Sequence, residues 1–117
     1  MYHSDLEAWK ESINLVKSIY KISSSFPKEE QYGLISQIRR AAVSIPSNIA
    51  EGSARTSAKE TVRFLDIALG SLAEVETQII IAKELEYIND IENLTTDTKK
   101  VNALISGLRK YFIERSE

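Results

Sequence analysis

The chain has 117 residues, no cysteine, and a formal charge of -2 at neutral pH. This length is sufficient for one domain, over residues 1–117, that buries roughly two thirds of the surface its unfolded form exposes. Without cysteine the chain has neither disulfides nor thiolate metal sites, which is typical of a reducing compartment, so we expect a cytoplasmic protein. No window approaches the ~20 apolar residues of a membrane span, and we expect no membrane partner.

The sequence contains only four glycines and two prolines, the residues that most often interrupt helices. This composition favours a few long helices and an all-α fold. Helix 1 is predicted to begin at Ser4, because SDLE places a hydroxyl N-cap three residues before Glu7 in a capping box. Two apolar stripes with helical spacing follow before the chain reaches SSSFPKEEQ. The first stripe is Leu6, Trp9, Ile13, Val16 and Tyr20, and the second is Leu15, Ile19, Ile22 and Phe26.

Helix 2 is predicted to run from about Glu29 to Glu51, with Gly52 as its C-terminal stop. Pro46 lies within this segment, where its missing N–H and its ring cost ~3 kcal/mol in a helix interior. Either the helix breaks and restarts at Pro46, or one helix bends there. A break would reset the phase of the apolar positions, and the phase is kept, so the sequence favours one helix with a proline kink. The apolar positions are Leu34, Ile38, Ala41, Ile45 and Ile49.

Helix 3 is predicted to start after Ser57, since SAKE is a second capping box with a glutamate at its third position. It continues to about Tyr87, and Gly70 in its interior predicts the close approach of a neighbouring backbone. Helix 4 is predicted to begin after Asp90 or Asn93. The apolar line of helix 3 is Val62, Leu65, Ala68, Leu72, Val75, Ile79 and Ala82, widened by Phe64, Ile67, Ile81 and Leu85.

Four amphipathic helices with short links predict an antiparallel up-down four-helix bundle, because short loops force neighbouring helices to pack side by side. Helices 1 and 3 carry more apolar residues than one core stripe needs. The surplus either scatters harmlessly over the surface or contacts another subunit, and we expect the second outcome, a homo-oligomer.

The sequence offers little for catalysis. His3 is the only histidine, and it lies ahead of the first predicted helix. No metal-binding pair of the zinc or di-iron kind, no P-loop and no dinucleotide fingerprint occurs. Serine is plentiful, but nothing in the sequence activates it as a nucleophile. We therefore expect no catalytic residue, no metal, no cofactor and no enzyme activity.

Polar residues of helix 2 recur at helical spacing around the proline. The line comprises Gln37, Arg40, Ser44, Ser47 or Asn48, and Glu51. One interpretation is a solvated face at the bend. The other is a polar surface that contacts a neighbouring subunit or a ligand, with Ser44, Ser47, Asn48 and Glu51 as the contact residues.

Cationic residues gather near the junction of helices 2 and 3. Arg39 and Arg40 are adjacent, so they diverge by about 100° on a helix. Arg55, Lys59 and Arg63 are spaced four apart and share one face, beside exposed amides at a helix start. These five residues are the candidates for contact with RNA or another partner, and the alternative is solvated surface charge. No aromatic residues interleave with them to stack bases.

The string YGLISQIRRAAVSIPSNIAEGSAR, followed by FLDIALGSLAEVETQI, closely resembles the bacterial four-helix-bundle proteins called 23S rRNA intervening-sequence proteins. The accessory variability determinant of diversity-generating retroelements is related to that family. The resemblance implies an antiparallel four-helix bundle that assembles into a ring-like homopentamer. For the retroelement relatives it implies binding of a reverse transcriptase and nucleic acid through a basic surface.

Two functions are compatible with these features. The leading interpretation is a non-enzymatic, homopentameric scaffold that contacts RNA or a nucleoprotein partner through Arg39, Arg40, Arg55, Lys59 and Arg63. The alternative is a structural or protein-binding module with no role in nucleic-acid binding. A salt series separates the two, because phosphate-driven binding weakens steeply with salt.

Overall fold

The structure is a computed structural model that describes residues 2–116. Within that range the chain forms four α-helices and no β-strand. Short 3₁₀ turns precede the first two helices, at His3–Asp5 and Lys28–Glu30. The prediction of an all-α fold with four helices is confirmed. The helices are α1 (Glu7–Ser23), α2 (Leu34–Ser53), α3 (Ala58–Glu84) and α4 (Glu92–Ile113).

The four helices pack as an elongated bundle with extents of 48 × 25 × 20 Å. Each helix packs against the next along the chain, and α1 also packs against α4. Side-chain hydrogen bonds join the end of one helix to the beginning of the next, as between Ser23 and Arg39 and between Gly52 and Thr61. The antiparallel direction of neighbouring helices stays a prediction. The largest fully buried side chains include Leu15, Ile19, Ile38, Ile45, Ile49, Leu65, Leu72 and Ile105.

The predicted capping box at Ser4 is wrong. Leu6 is the N-cap of α1, because it has the extended backbone that a cap requires, with φ -79° and ψ 131°. Ser4 lies inside the 3₁₀ turn His3–Asp5 instead. The ring of His3 packs edge-on against Trp9, with 5.3 Å between the ring centroids.

The two apolar stripes of α1 differ in burial. Leu15 and Ile19 of the second stripe are fully buried in the core. Trp9, Ile13 and Val16 of the first stripe are only half-buried. The first stripe therefore keeps part of its apolar surface in contact with solvent.

The second helix runs without interruption through Pro46, which is buried. The prediction of one continuous helix is confirmed, and the bend at Pro46 stays a prediction. The helix begins at Leu34, later than the predicted Glu29, and Glu30 accepts a hydrogen bond from the Leu34 N–H at 3.1 Å. Every apolar position of the predicted line is buried.

Gly52 does not end α2, which continues to Ser53, so that prediction is wrong. Its φ is not positive, and its lack of a side chain serves packing instead. A Cβ at position 52 would lie 3.1 Å from Phe64 Cβ and 3.2 Å from the Thr61 carbonyl oxygen. Thr61 Oγ1 also donates to the Gly52 carbonyl oxygen at 2.8 Å. The glycine therefore lets the first turns of α3 lie directly against the end of α2.

The predicted cap of α3 is confirmed, since Ser57 Oγ accepts a hydrogen bond from the Glu60 N–H at 3.2 Å. The close approach predicted at Gly70 is wrong within residues 2–116, because a Cβ there would have no other atom within 4 Å. At the start of α4, the Glu92 N–H donates to Asp90 Oδ1 at 2.9 Å. Asp90 thus satisfies an amide of that first turn, although the residue after it occupies the cap position.

Candidate functional site

A polar groove of about 460 Å³ lies between α2 and α3. Short side chains leave this space, since Ala41 and Ser44 on α2 and Ser71 on α3 all line it. We call it the α2–α3 groove. Its other lining residues are Tyr32, Ser36, Gln37, Arg40, Glu74 and Gln78.

Hydrogen bonds between small polar residues fix the floor of the groove. Ser44 Oγ and Ser71 Oγ lie 2.8 Å apart and share one hydrogen bond, in which either hydroxyl can donate. Asn48 Nδ2 donates to the carbonyl oxygen and to the Oγ of Ser44, at 2.8 and 2.9 Å. The polar line on α2 therefore reaches α3 at Ser44, and Asn48 holds that serine in place.

Gln78, at the edge of the groove, has a buried side chain whose amide oxygen lacks a hydrogen-bond donor among residues 2–116. The residue is 8% exposed. Leaving a buried polar group unpaired costs about 1–3 kcal/mol. Its neighbours on the buried side of α3, Val75 and Ile79, are apolar. An amide at this position therefore lowers the stability of the folded chain.

Opposite charges stand on the two walls of the groove. Arg40 belongs to α2 and Glu74 to α3, and both side chains are exposed. Neither takes part in an ion pair within residues 2–116. A guanidinium only donates hydrogen bonds and a carboxylate only accepts them, so the two walls offer complementary chemistry to an occupant.

Ser47 and Glu51 lie apart from the α2–α3 groove. Ser47 lines a second groove, between α1 and α2, whose other lining residues are apolar. Glu51 pairs with Arg55, with 3.4 Å between the charged atoms. Of the four residues predicted as a subunit or ligand contact, the structure brings together Ser44 and Asn48.

The adjacent arginines of α2 have different surroundings. Arg39 turns toward α1, where its Nε donates to Ser23 Oγ at 2.8 Å and its Nη2 to the Tyr20 carbonyl oxygen at 3.2 Å. Its guanidinium also lies over the Tyr20 ring, 4.6 Å from the centroid. These contacts engage Arg39 within the bundle, whereas Arg40 lines the α2–α3 groove. The two arginines therefore do not serve one binding surface.

Three of the predicted cations lie together at the junction of α2 and α3. We call Arg55, Lys59 and Arg63 the basic corner, and all three are exposed. The guanidiniums of Arg55 and Arg63 lie 5.5 and 4.8 Å from the centroid of the Phe64 ring. Each arginine also forms an ion pair with a glutamate: Arg63 with Glu60 at 3.5 Å, and Arg55 with Glu51 at 3.4 Å. Those glutamates offset part of the positive charge of the basic corner.

The sequence did not indicate Ser71, Glu74, Gln78 or Phe64 as site residues. The first three follow one another at steps of three and four residues, which is the spacing of one helical face. That polar line on α3 mirrors the line on α2, and it is the pattern that could have found them. No sequence pattern indicates Phe64. Its ring contacts both Arg55 and Arg63 only because α3 packs against the end of α2.

A separate polar contact joins the segments just before α2 and just after α3. The Tyr87 hydroxyl donates to Glu30 Oε2 at 2.7 Å, while the Leu34 N–H donates to Glu30 Oε1. The Leu34 amide first, and then the Tyr87 hydroxyl, hold the pKa of Glu30 below its ordinary 4.5. The same bond raises the pKa of Tyr87 above its ordinary 10.0. This contact is structural, since it satisfies an amide in the first turn of α2.

No group of three or more His, Asp or Glu side chains in residues 2–116 is placed to hold a metal ion. None of the helices there has a stretch both long and apolar enough to cross a lipid bilayer.

Comparisons with known proteins place the chain in a family. Residues 4–107 match the family model described as 23S rRNA-intervening sequence protein. A crystal structure from Bacteroides thetaiotaomicron VPI-5482, of a protein with unknown function from the S23 ribosomal protein family, is similar: it is 22% identical, with coverage of 94% of this chain and 98% of that chain and a TM-score of 0.63. Curated proteins give no match. Because the family model spans most of its residues, this chain belongs to the 23S rRNA-intervening sequence protein family.

Proposed function

We propose that this protein is a non-enzymatic, cytoplasmic scaffold that assembles into a ring of identical subunits, with five copies per ring as the sequence resemblance implies. A closed ring needs a head-to-tail contact, in which one surface of a subunit meets a different surface of the next. The observation that carries the proposal is the exposure of two different apolar surfaces on one subunit, one concave and one convex.

The concave surface is the groove of about 360 Å³ between α1 and α2. The half-buried first stripe of α1 contributes to it, and Val43 on α2 is 40% exposed. An apolar partner would displace water from this surface, which is energetically favourable. We call it the α1–α2 groove, and its lining residues are Trp9, Ile13, Val16, Val43, Pro46, Ser47 and Ala50.

The convex surface lies near the end of α3. Ile81 is 41% exposed, and Leu85, four residues further along the same face of the helix, is 50% exposed. We call these two residues the α3 ridge. Large branched side chains on the outside of a helix gain stability when a groove of another subunit covers them, at about 25 cal/mol per Å² of apolar surface. The α1–α2 groove offers such a cover, and its place on different helices fits a head-to-tail contact.

Contact with RNA is the second candidate function, and the basic corner favours it. Arg55 and Arg63 lie at the Phe64 ring and Lys59 precedes Arg63 by one helical turn, so the corner presents three cations to a phosphate backbone. The paired glutamates and the net charge of -2 weaken this candidate. A protein-binding scaffold without a nucleic-acid role needs only the apolar surfaces.

Light scattering of the purified protein at micromolar concentration tests the assembly. We expect a mass of five times the 13.2 kDa of one chain. The mass of a single chain would contradict the proposed ring. A dimer would also contradict it, because a dimer closes through one surface that meets itself.

A further inference from the structure

We propose that charge selects the contact between subunits: the cation-rich side of the α1–α2 groove receives the acid-rich α3 ridge of a second copy of this chain. This inference rests on the assembly proposed above, and it names what makes the two surfaces pair with each other rather than with themselves. The observation that carries it is the opposite sign of the charges around these two exposed apolar surfaces.

The side of the bundle that holds the α1–α2 groove is rich in cations. Residues 8–23 of α1 and 34–50 of α2 contain three lysines and two arginines against a single acid, Glu11. Glu11 lies on the other side of α1, where it pairs with Lys100 of α4 at 3.2 Å. These two segments therefore give the groove a positive surrounding, although the whole chain has a formal charge of -2.

Both edges of the α1–α2 groove carry positive charge. On α2, Arg40 lies three residues before Val43 and so on the same side of the helix. On α1, Lys10 directly follows Trp9, which lines the groove. Its partner Glu7 is 3.8 Å away and both side chains are exposed, so this ion pair offsets little of the charge.

The α3 ridge lies among acids. Glu84 is three residues after Ile81, which places it on the same side of the helix, and Glu86 directly follows Leu85. Both glutamates are exposed, and neither takes part in an ion pair within residues 2–116. Lys83 is two residues from Ile81 and therefore lies about 200° around the helix. The ridge thus has a negative surrounding.

Opposite charges around the two surfaces favour one arrangement of subunits. A groove against a groove, or a ridge against a ridge, brings like charges together, whereas a groove against a ridge brings opposite charges together. A contact between two different surfaces continues from subunit to subunit, while a contact of one surface with itself stops at a dimer. The charges therefore favour the head-to-tail assembly over a dimer.

The response to salt has a sign that separates local charge from net charge. Each chain is formally negative, so repulsion between whole subunits would fade in salt and the assembly would become tighter. Complementary charges at the contact predict the reverse, because salt screens their attraction. Burial of the apolar surfaces supplies most of the affinity and is not screened in this way.

Sedimentation of the full chain in sodium chloride, from about 50 to about 500 mM, tests the proposal. We expect the apparent dissociation constant of the assembly to rise about tenfold over this range. An affinity that salt leaves unchanged or increases would overturn the proposal and leave the ring in place. A chain that is monomeric at every salt concentration would contradict both, and a different protein would then be the partner of the groove.

Charge reversal locates the effect. Arg40→Glu and Glu84→Lys each reverse one charge at one of the two surfaces, and each is expected to weaken assembly about tenfold at about 50 mM salt. The double variant should assemble better than either single variant, because opposite charges face each other again. Lys99→Glu on α4 and Glu114→Lys just after it are the matched controls, expected to assemble as the unmodified chain does. Single variants that match these controls, or a double variant with no recovery, would overturn the proposal.

Discussion

Ser44 of α2 and Ser71 of α3 share a hydrogen bond of 2.8 Å at the floor of the α2–α3 groove. Ser71→Ala removes this bond, and we expect the free energy of unfolding to fall by about 1 kcal/mol. Ser44→Ala also removes an acceptor of Asn48, so its effect is expected to be larger. Urea unfolding of both single variants and the double variant measures the coupling. Strictly additive effects would show that the two hydroxyls act independently.

Two glycines are expected to respond oppositely to alanine. At Gly52 the new Cβ would lie 3.1 Å from Phe64 Cβ, so Gly52→Ala is expected to lower the free energy of unfolding by about 1–3 kcal/mol. At Gly70 the new Cβ meets no atom within 4 Å, so Gly70→Ala is expected to raise it by about 0.5–1 kcal/mol. Chemical denaturation of the two variants checks the contrast. Equal effects would contradict the packing described for Gly52.

Because of Glu30, we expect the folded chain to lose stability in acid. The folded-state pKa of Glu30 lies below the ordinary 4.5, so its contribution is present above pH 4.5 and is lost as the pH falls through the folded-state pKa. Glu30→Gln keeps an acceptor for Tyr87 and removes the titration. The free energy of unfolding, measured between about pH 3 and pH 7, should therefore depend less on pH in this variant. Glu29→Gln is the control, and an unchanged acid slope in Glu30→Gln would refute the prediction.

Because of Tyr87, we expect the free energy of unfolding to fall as the pH rises in base. The folded-state pKa of Tyr87 lies above the ordinary 10.0, so its contribution is present below pH 10.0 and is lost as the pH rises through the folded-state pKa. Tyr87→Phe removes both the hydrogen bond to Glu30 and this titration. Unfolding measured on either side of pH 10.0 should show a smaller alkaline loss in the variant than in the unmodified chain.

The basic corner predicts how RNA binding would respond to charge. Lys59→Glu and Arg63→Glu are expected to weaken binding of RNA fragments. They should also reduce the dependence of log K on log salt by about 0.7–0.9 for each phosphate that the variant no longer neutralises. Lys17→Glu, an exposed lysine of α1, is the control for total charge. No binding at about 50 mM salt would remove the RNA function and leave the protein-binding scaffold.

Helical periodicity was sufficient to predict the fold, because each helix shows its core face in its own sequence. The unbroken apolar phase around Pro46 correctly indicated one continuous helix. Local end motifs were less reliable. The cap at Ser57 is present, but Ser4 lies inside a turn and Gly52 serves a contact with Phe64. Such contacts depend on the neighbouring helix, which the local sequence does not specify.

The candidate site was predictable only in part, for the same physical reason. Ser44 and Asn48 could be named from the polar line on α2. The opposite wall, with Glu74 and the buried Gln78, belongs to α3, and only the packing of the two helices brings it to the same groove. Arg39 was named as a binding residue on its charge, whereas its contacts with α1 require the folded bundle.

A mixing experiment tests the head-to-tail assembly most directly. Val43→Glu places a charge in the α1–α2 groove and keeps the α3 ridge, while Ile81→Glu does the reverse. Light scattering should give each variant alone the 13.2 kDa mass of one chain. When the two variants are mixed in equal amounts, the intact ridge of the first should bind the intact groove of the second. A species of twice that mass should then appear. Full-size assemblies of either variant alone, or a mixture that stays monomeric, would contradict the account.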